Sequence, residues 1–425
     1  MSILQIDTLT GVEAELARAV ADLRPRMVAT RRDFHKHPEL SGEEMRTGQV
    51  VAERLRALGF DDVIPNVGGH GVVGLLRGAR PGSVIAYRAD MDALPVEDTL
   101  ARDYRSQTPG IKHACGHDAH MAIALGAAEV LAAHRDVWPG TIKFIFQPAE
   151  EALEGARAMI AAGVLTDPRP EAIVALHTFP IRAGWLGVTP GLALAGMEEF
   201  HIRLYSPAGH LSMLMARISS ALRDLSTAPA PAGPATFDAL VRRMQIDEAL
   251  ADTVLISCWP HTGDLSSVYQ LMGLASVCTT ERRDLLYQQI RETLDRCTAR
   301  LGASYDLDYT FANPPVYNDP ALTEALWPTL EAAVGAGRVL RFRAPYPFAH
   351  EDFALYQEYI PGLFIWLGIA NQEAEIDRLL HQPDFDIDED ALVVGARLMA
   401  LLLKRYLQTQ EAQGDWPPAD KILGA

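Results

Sequence analysis

Two rhythms of apolar positions run along the chain. Residues 12–27 interleave apolar and charged side chains at helical spacing, which predicts an opening helix. Pro38 stops any helix near His37. Ser41, with Glu44 three positions later, has the form of a capping box for a second helix that ends at Gly59. Short apolar runs at 72–76 and 83–87, separated by Pro81-Gly82, read as buried strands. A helical face marked by Ala124, Ala128 and Leu131 follows, then strand 141–146, a helical pattern through Ile160, and strand 172–176. Strands alternating with helices are the pattern of an α/β sheet.

From about Gly196 the rhythm changes. Residues 198–205 alternate like a half-buried strand, a helix pattern covers 211–225, and the Ala-Pro-rich stretch 226–234 reads as a loop or linker. A strand at 253–257 and a helix over 281–301 complete a compact α+β insert. Near Asn313-Pro314-Pro315 the first rhythm returns, with helix 320–335, buried strand 363–368 and a closing helix over 389–407. The expected division is therefore one α/β unit built from 1–196 and 313–425, interrupted by a smaller unit at 197–312.

Composition narrows the function. A chain of 425 residues with 48% hydrophobic and 22% charged positions has the apolar mass for a full core. A net charge of −17 argues against nucleic acid and anionic membrane as standing partners. No run approaches the roughly 18–20 apolar residues that span a bilayer. The polar, acidic first fifteen residues are unlike a secretory signal, so a cytoplasmic protein is expected. Four cysteines without close pairs do not form a disulfide framework.

One of those cysteines has unusual neighbours. His113-Ala-Cys115-Gly-His117-Asp-Ala-His120 puts three imidazoles, a thiol and a carboxylate into eight positions before a helix. Cys115 and His117 form half of a coordination sphere for a soft or borderline cation; the alternative is a helix start with incidental polar residues. Candidates for the other half stand at the ends of strands: Asp90 and Asp92 after 83–87, the pair Glu150-Glu151 after 141–146, and His177 after 172–176. Ligands gather at such ends in open α/β sheets. His381, in the late cluster Leu380-His381-Gln382-Pro383, is a further donor. His35 and His37 are candidates for the rim of a site, or simply polar loop residues. Of the two adjacent glutamates, one can bind a metal while the other takes a proton from water; an acidic helix start is the plainer reading.

Five ordered segments carry a resemblance: Arg-Ala-Asp-Met-Asp-Ala-Leu-Pro (88–95), His-Ala-Cys-Gly-His-Asp-Ala-His-Met-Ala (113–122), Phe-Gln-Pro-Ala-Glu-Glu (146–151), Glu351-Asp352-Phe353 and Leu-His-Gln-Pro-Asp-Phe (380–385). In order and spacing they resemble the metal-dependent amidohydrolases that include bacterial aminoacylases, hippurate hydrolases and plant auxin-conjugate hydrolases, relatives of carboxypeptidase G. The resemblance implies a zinc-peptidase-like α/β catalytic domain with a small α+β insert that often mediates dimerisation, hence a homodimer. It implies Cys115, His117, Glu151, His177 and His381 as ligands to one or two divalent transition metals. Manganese or zinc lead, with cobalt or nickel as alternatives. It also implies Glu150 as general base, Asp92 as the carboxylate orienting a ligand histidine, and His210 as the stabiliser of developing charge.

The insert departs from the family pattern. Gly209-His210 is present, but the family's Asn-Val-Ile-Pro and Gly-Thr-Ile-Arg segments read Ser267-Val268-Tyr269-Gln270 and Ala275-Ser276-Val277-Cys278. Tyr269 and Arg282 become the candidate substrate contacts, beside Trp259 and His261. The expected activity is hydrolysis of a C–N bond in a small carboxylate-bearing molecule, with an N-acyl amino acid as the leading substrate. A second expectation is displacement of the amino group of an aromatic amine, as in family members of the 5-nitroanthranilate aminohydrolase type. A third is a binding protein without catalysis.

Overall fold

The computed structural model describes residues 9–206, 211–261, 269–299 and 301–413. Its larger sheet has eight strands, in the order Asp62–Val67, Gly71–Arg77, Pro139–Gln147, Arg80–Asp90, Ala172–Arg182, Gly362–Ala370, Leu186–Val188 and Val339–Arg341. The four central strands run parallel, and the first two join antiparallel at one edge. Alternation along each strand serves two cores. Val72, Leu76, Ile85 and Tyr87 face helices Gly11–Asp22, Arg24–Lys36, His117–Ala133, Pro320–Val334 and Asp390–Gln413. Val73, Leu75, Ala86 and Ile145 face the opposite side, where Gly155–Ala161 and Phe353–Gln357 lie. A sheet covered on both faces explains why its strands read as unbroken apolar runs.

The second sheet is antiparallel and four-stranded, in the order Ser304–Asn313, Gly196–Tyr205, Tyr269–Val277 and Leu255–His261. Phe200, Ile202, Leu204 and Leu271 point to helices Leu211–Arg223 and Thr280–Ala299 and form a third core. By the two-residue period, Met197, Glu199, Met272, Leu274 and Ser276 point the other way, toward the first sheet.

Several expected boundaries shift. The opening helical pattern divides into Gly11–Asp22 and Arg24–Lys36, with Pro25 in the first turn of the second helix. Pro81-Gly82, expected to separate two strands, lies inside one, and the register slips between Arg80 and Val84. The Ser41–Glu44 capping box does not form. Glu44 instead accepts from the Gly42 and Ala149 amides, and Ser41 donates to Asp92. Both side chains bond toward the polar cluster described below. The strand carrying His177 continues to Arg182, so His177 sits within it rather than at its end.

Candidate metal centre

The cluster assembles from five places in the chain. Helix His117–Ala133 starts after Gly116, whose φ of 92° and close approach to Thr178 leave no room for a Cβ. That turn sets Cys115 and His117 side by side over the parallel strands. Glu150 and Glu151 follow Ala149, a non-glycine residue at φ 50°. Left-handed backbone at an alanine is uncommon and has to be held by its surroundings. Here Glu44 accepts from the Ala149 amide at 2.8 Å, and the Ala149 carbonyl accepts from Glu154 and Gly155. His381 is also left-handed, at φ 64°, and its amide donates to the Ala114 carbonyl at 2.8 Å.

Cys115 Sγ lies 3.5 Å from His177 Nε2 and 3.3 Å from His381 Nε2. His117 Nε2 is 3.7 Å from Glu150 Oε2 and 3.8 Å from Glu151 Oε1, while His381 Nε2 is 3.7 Å from Glu151 Oε2. Donor atoms of Cys115, His117 and Glu151 fall within 4.8 Å of one another, as do those of Asp90, His117, His120 and His177. The structure thus brings together Cys115, His117, Glu150, Glu151, His177 and His381.

Asp92 holds two of them. His117 Nδ1 donates to the Asp92 backbone oxygen at 2.9 Å and is 3.2 Å from its carboxylate, which accepts from the Glu151 amide at 2.9 Å and Ser41 at 2.7 Å. That fixes His117 with its other nitrogen toward the cluster. His120 is tied down by Asp90 and the Thr178 amide, and its ring meets His177 edge-on at 4.6 Å. His35 is buried between Asp118 and Asp98, away from the rim expected for it, and His37 donates to its own helix at the Asp33 carbonyl. His113 is buried without a hydrogen-bond partner.

Two buried atoms test whether this set fits a metal: His117 Nε2 and Glu151 Oε1 have no hydrogen-bond partner. Buried polar atoms are otherwise satisfied, and both atoms point at the same few ångströms. Charge points the same way. Burial and the neighbouring carboxylates push Glu151 up to about 7, and push Glu150 and the Cys115 thiol well above their ordinary values. Burial presses His117 down, yet Asp90, Asp92 and Glu151 hold it up at about 10. Burial and His120 push His177 well below the ordinary imidazole range, while His381, whose side chain is about half exposed, is lowered less. Thiolate, imidazole and carboxylate donors crowded in this way fit a divalent transition ion.

Behind Glu150 stands a second buried layer. Arg88 donates to Asp90, to Glu351 at 2.8 Å and to Asp352 at 3.0 Å, and Gln147 and the Ala156 amide also bond Asp352. The Glu351-Asp352 pair stood in the sequence as a motif without a role; this network is where it goes.

The cluster opens into a cavity of about 570 Å³. Phe179, Phe237, Tyr346, Phe348, Phe364 and Trp366 wall it, and Met197, Glu199, Met272 and Leu274 of the second sheet roof it. His350, on the wall, is hydrogen-bonded through Nε2 to Ser276 Oγ of the roof at 2.7 Å. No lysine or arginine is among the described residues lining the cavity.

Two expected substrate contacts do not line it. Tyr269 pairs with Leu204 on the roof's outer, helix-covered face and is exposed. Arg282 begins the helix over that same face. Trp259 lies on the exposed edge strand and is also absent from the lining. Spacing from the family's segments located the right strand but not which of its faces meets the cavity. His210 lies outside the described residues.

Comparison with known proteins agrees with this geometry. Residues 86–405 match the model of peptidase family M20/M25/M40. N-acetylcysteine deacetylase of Bacillus subtilis is 32% identical over 90% of this chain and 97% of its own length. IAA-amino acid hydrolase ILR1-like 6 of Arabidopsis thaliana is 32% identical over 90% and 80%. Among solved structures, the Bacillus subtilis YXEP protein, described as a dinuclear metal-binding peptidase of family M20, superimposes with a TM-score of 0.73. It shares 28% identity and covers 92% of this chain and 99% of its own. No helix among the described residues is long and apolar enough to cross a membrane. The chain belongs to peptidase family M20, and it is a metal-dependent hydrolase of carbon–nitrogen bonds.

Proposed function

We propose that the protein hydrolyses the amide bond of a small N-acyl amino acid whose apolar, aromatic part fills the cavity. Cys115, His117, Glu151, His177 and His381 would hold one or two metal ions, with Asp92 orienting His117. When bound, they would supply Lewis acidity toward the scissile carbonyl and the attacking water. Glu150 takes that water's proton and delivers it to the leaving nitrogen. Its position suits both steps: Oε2 sits 3.7 Å from His117 Nε2, and the Arg88–Glu351–Asp352 layer lies behind it. His210 remains our proposed stabiliser of the oxyanion. The names of the relatives, a deacetylase and an auxin-amino acid hydrolase, support an amide substrate.

The observation that carries this reading is the pair of atoms without a hydrogen-bond partner, His117 Nε2 and Glu151 Oε1, 3.8 Å apart beside Glu150. Glu150→Gln keeps the shape and removes the base. It should cut kcat by about 10²–10⁴-fold with metal content unchanged. Activity that survives the change refutes the assignment.

One observation favours a second reading. Aromatic walls with no lysine or arginine among the described lining residues suit a planar aromatic amine as well as an acylated amino acid. Hippurate and 2-aminobenzoate assayed side by side, for glycine and for ammonia release, separate the two. We also infer a cytoplasmic homodimer, with the chain divided near 197 and 312.

A further inference from the structure

The division of the chain has an exception. Thr227 and Val254, both of the inserted unit, are joined by two hydrogen bonds of 2.9 Å, one from each amide, and Ser226 Oγ accepts from Ile256 at 2.9 Å. These bonds close a neck. Residues 228–253, between its two sides, leave the insert altogether. Their helix, Pro234–Met244, buries Phe237, Leu240, Val241 and Met244 in the core beneath the larger sheet, with Leu250 beside them. The Met244 carbonyl accepts from the Arg343 and Ala344 amides at 2.7 and 3.1 Å. Those two residues open the segment that carries Tyr346, Phe348 and His350 on the cavity wall.

This strap also forms wall itself, through Ala230, Pro231 and Phe237. Prolines at 229, 231 and 234 fix φ through the crossing limb, so it is a stiff element rather than a loose lid. Phe237 ends a row of rings that starts at the metal centre. His177 meets Trp366 at 5.5 Å, Trp366 stacks on Phe179 at 4.2 Å, and Phe179 meets Phe237 edge-on at 4.9 Å. Tyr346 lies 6.3 Å from Phe237.

We propose that the strap is the specificity element of the site, with Phe237 as the residue that sets how large an aromatic group the slot beside Phe179 and Trp366 accepts. This rests on the hydrolase reading only for the role of the slot's occupant as substrate. The physical basis is the close packing of edge-on rings: an occupant must fit within the space the row leaves, and one extra or missing group in an apolar pocket changes discrimination by about 10–200-fold.

The test uses benzoylglycine and 4-phenylbenzoylglycine as substrates, with benzoate and 4-phenylbenzoate as ligands for the manganese-loaded Glu150→Gln protein by calorimetry. Phe237→Ala should weaken the one-ring compounds several-fold and strengthen the two-ring compounds, moving the ratio of kcat/KM, and of affinities, at least tenfold toward the larger ring. Replacing residues 228–253 by a two-glycine turn across the neck should move it the same way. Parallel weakening of both ring sizes in Phe237→Ala, or no binding of either acid by the parent protein, overturns the proposal. Ring-size-dependent binding without turnover of either benzoyl amide overturns the N-acyl amino acid reading and leaves the strap's role standing.

Discussion

Two clusters of histidine and carboxylate, buried except at His381, meet at the start of helix His117–Ala133, one on each side of it. On one side Arg31 donates to Asp118 at 2.8 Å and to Asp386 at 3.0 Å, His35 bridges Asp118 and Asp98, and Lys112 pairs with Asp98 at 3.1 Å. On the other side stand Cys115, His117, Glu150, Glu151, His177 and His381. Asp90 beside them is paired with Arg88, but that arginine is already shared with Glu351 and Asp352. The ingredients are alike, yet the first cluster contains its own cations. Its carboxylates Asp98 and Asp118 are held below the ordinary range despite burial. In the second, Glu150 and Glu151 are driven upward. The same residue types thus serve structure where arginine and lysine balance them and, on our proposal, chemistry where a metal ion would supply the balance.

Removing the metal is the most severe way to test the contrast. Dialysis against a chelator should abolish turnover and lower the melting temperature, both restored by manganese or zinc. A ligand at a thousand times its Kd contributes about 4 kcal/mol. The Arg31 cluster, needing no ion, should keep its share, so a chelated protein that loses all folded structure would break the comparison.

Arg31→Met strikes the other side. It leaves Asp118 and Asp386 buried without their shared cation, for a loss of about 3–5 kcal/mol in urea unfolding. Metal content per folded molecule should hold. If metal is lost at small cost in stability, the two clusters are not independent.

The smallest effect is the pH dependence of His35. Burial and Arg31 press its pKa down, but Asp118 and Asp98 raise it above the ordinary value. A raised histidine contributes stability that is complete below about pH 6.5 and lost as pH rises through the folded value. The depressed Asp98 and Asp118 contribute above about pH 4 and lose that share as pH falls. Between those limits the cluster contributes most. His35→Gln should therefore cost more stability at pH 5.5 than at pH 9 in urea unfolding. A cost independent of pH would show the His35 pKa unshifted by folding, and a cost smaller at pH 5.5 than at pH 9 would show His35 neutral in the native state.

Sequence made the metal side far more legible than its neighbour. Cys115-x-His117 and Glu150-Glu151 announce themselves because coordination and proton transfer demand particular residue types at short spacing. Arg31, Asp98 and Asp386 do not, since an ion pair between distant positions leaves no local pattern. The strands were readable from apolar runs buried on both faces. Helix Pro234–Met244 was missed because the Ala-Pro repeat before it suggested a linker, and nothing local tells a linker from a strap that docks on another unit. Tyr269 and Arg282 were misplaced for a related reason: family spacing finds a strand, while the face it presents depends on which core it covers. The capping box failed because Ser41 and Glu44 are recruited by Asp92 and Ala149, residues far along the chain.

The bond from the His381 amide to the Ala114 carbonyl links the two loops that carry Cys115 and His381, 266 positions apart. On the proposed ligand set, a nascent chain on the ribosome holds Cys115 and His117 long before His381 emerges. A metal ion encountered early finds a thiol and an imidazole with no closed sphere around them. Full coordination arrives only when the residues between Cys115 and His381 have been made and the two loops have met. On that ligand set, closing the sphere follows the meeting of these two loops, so metal binding and folding are coupled.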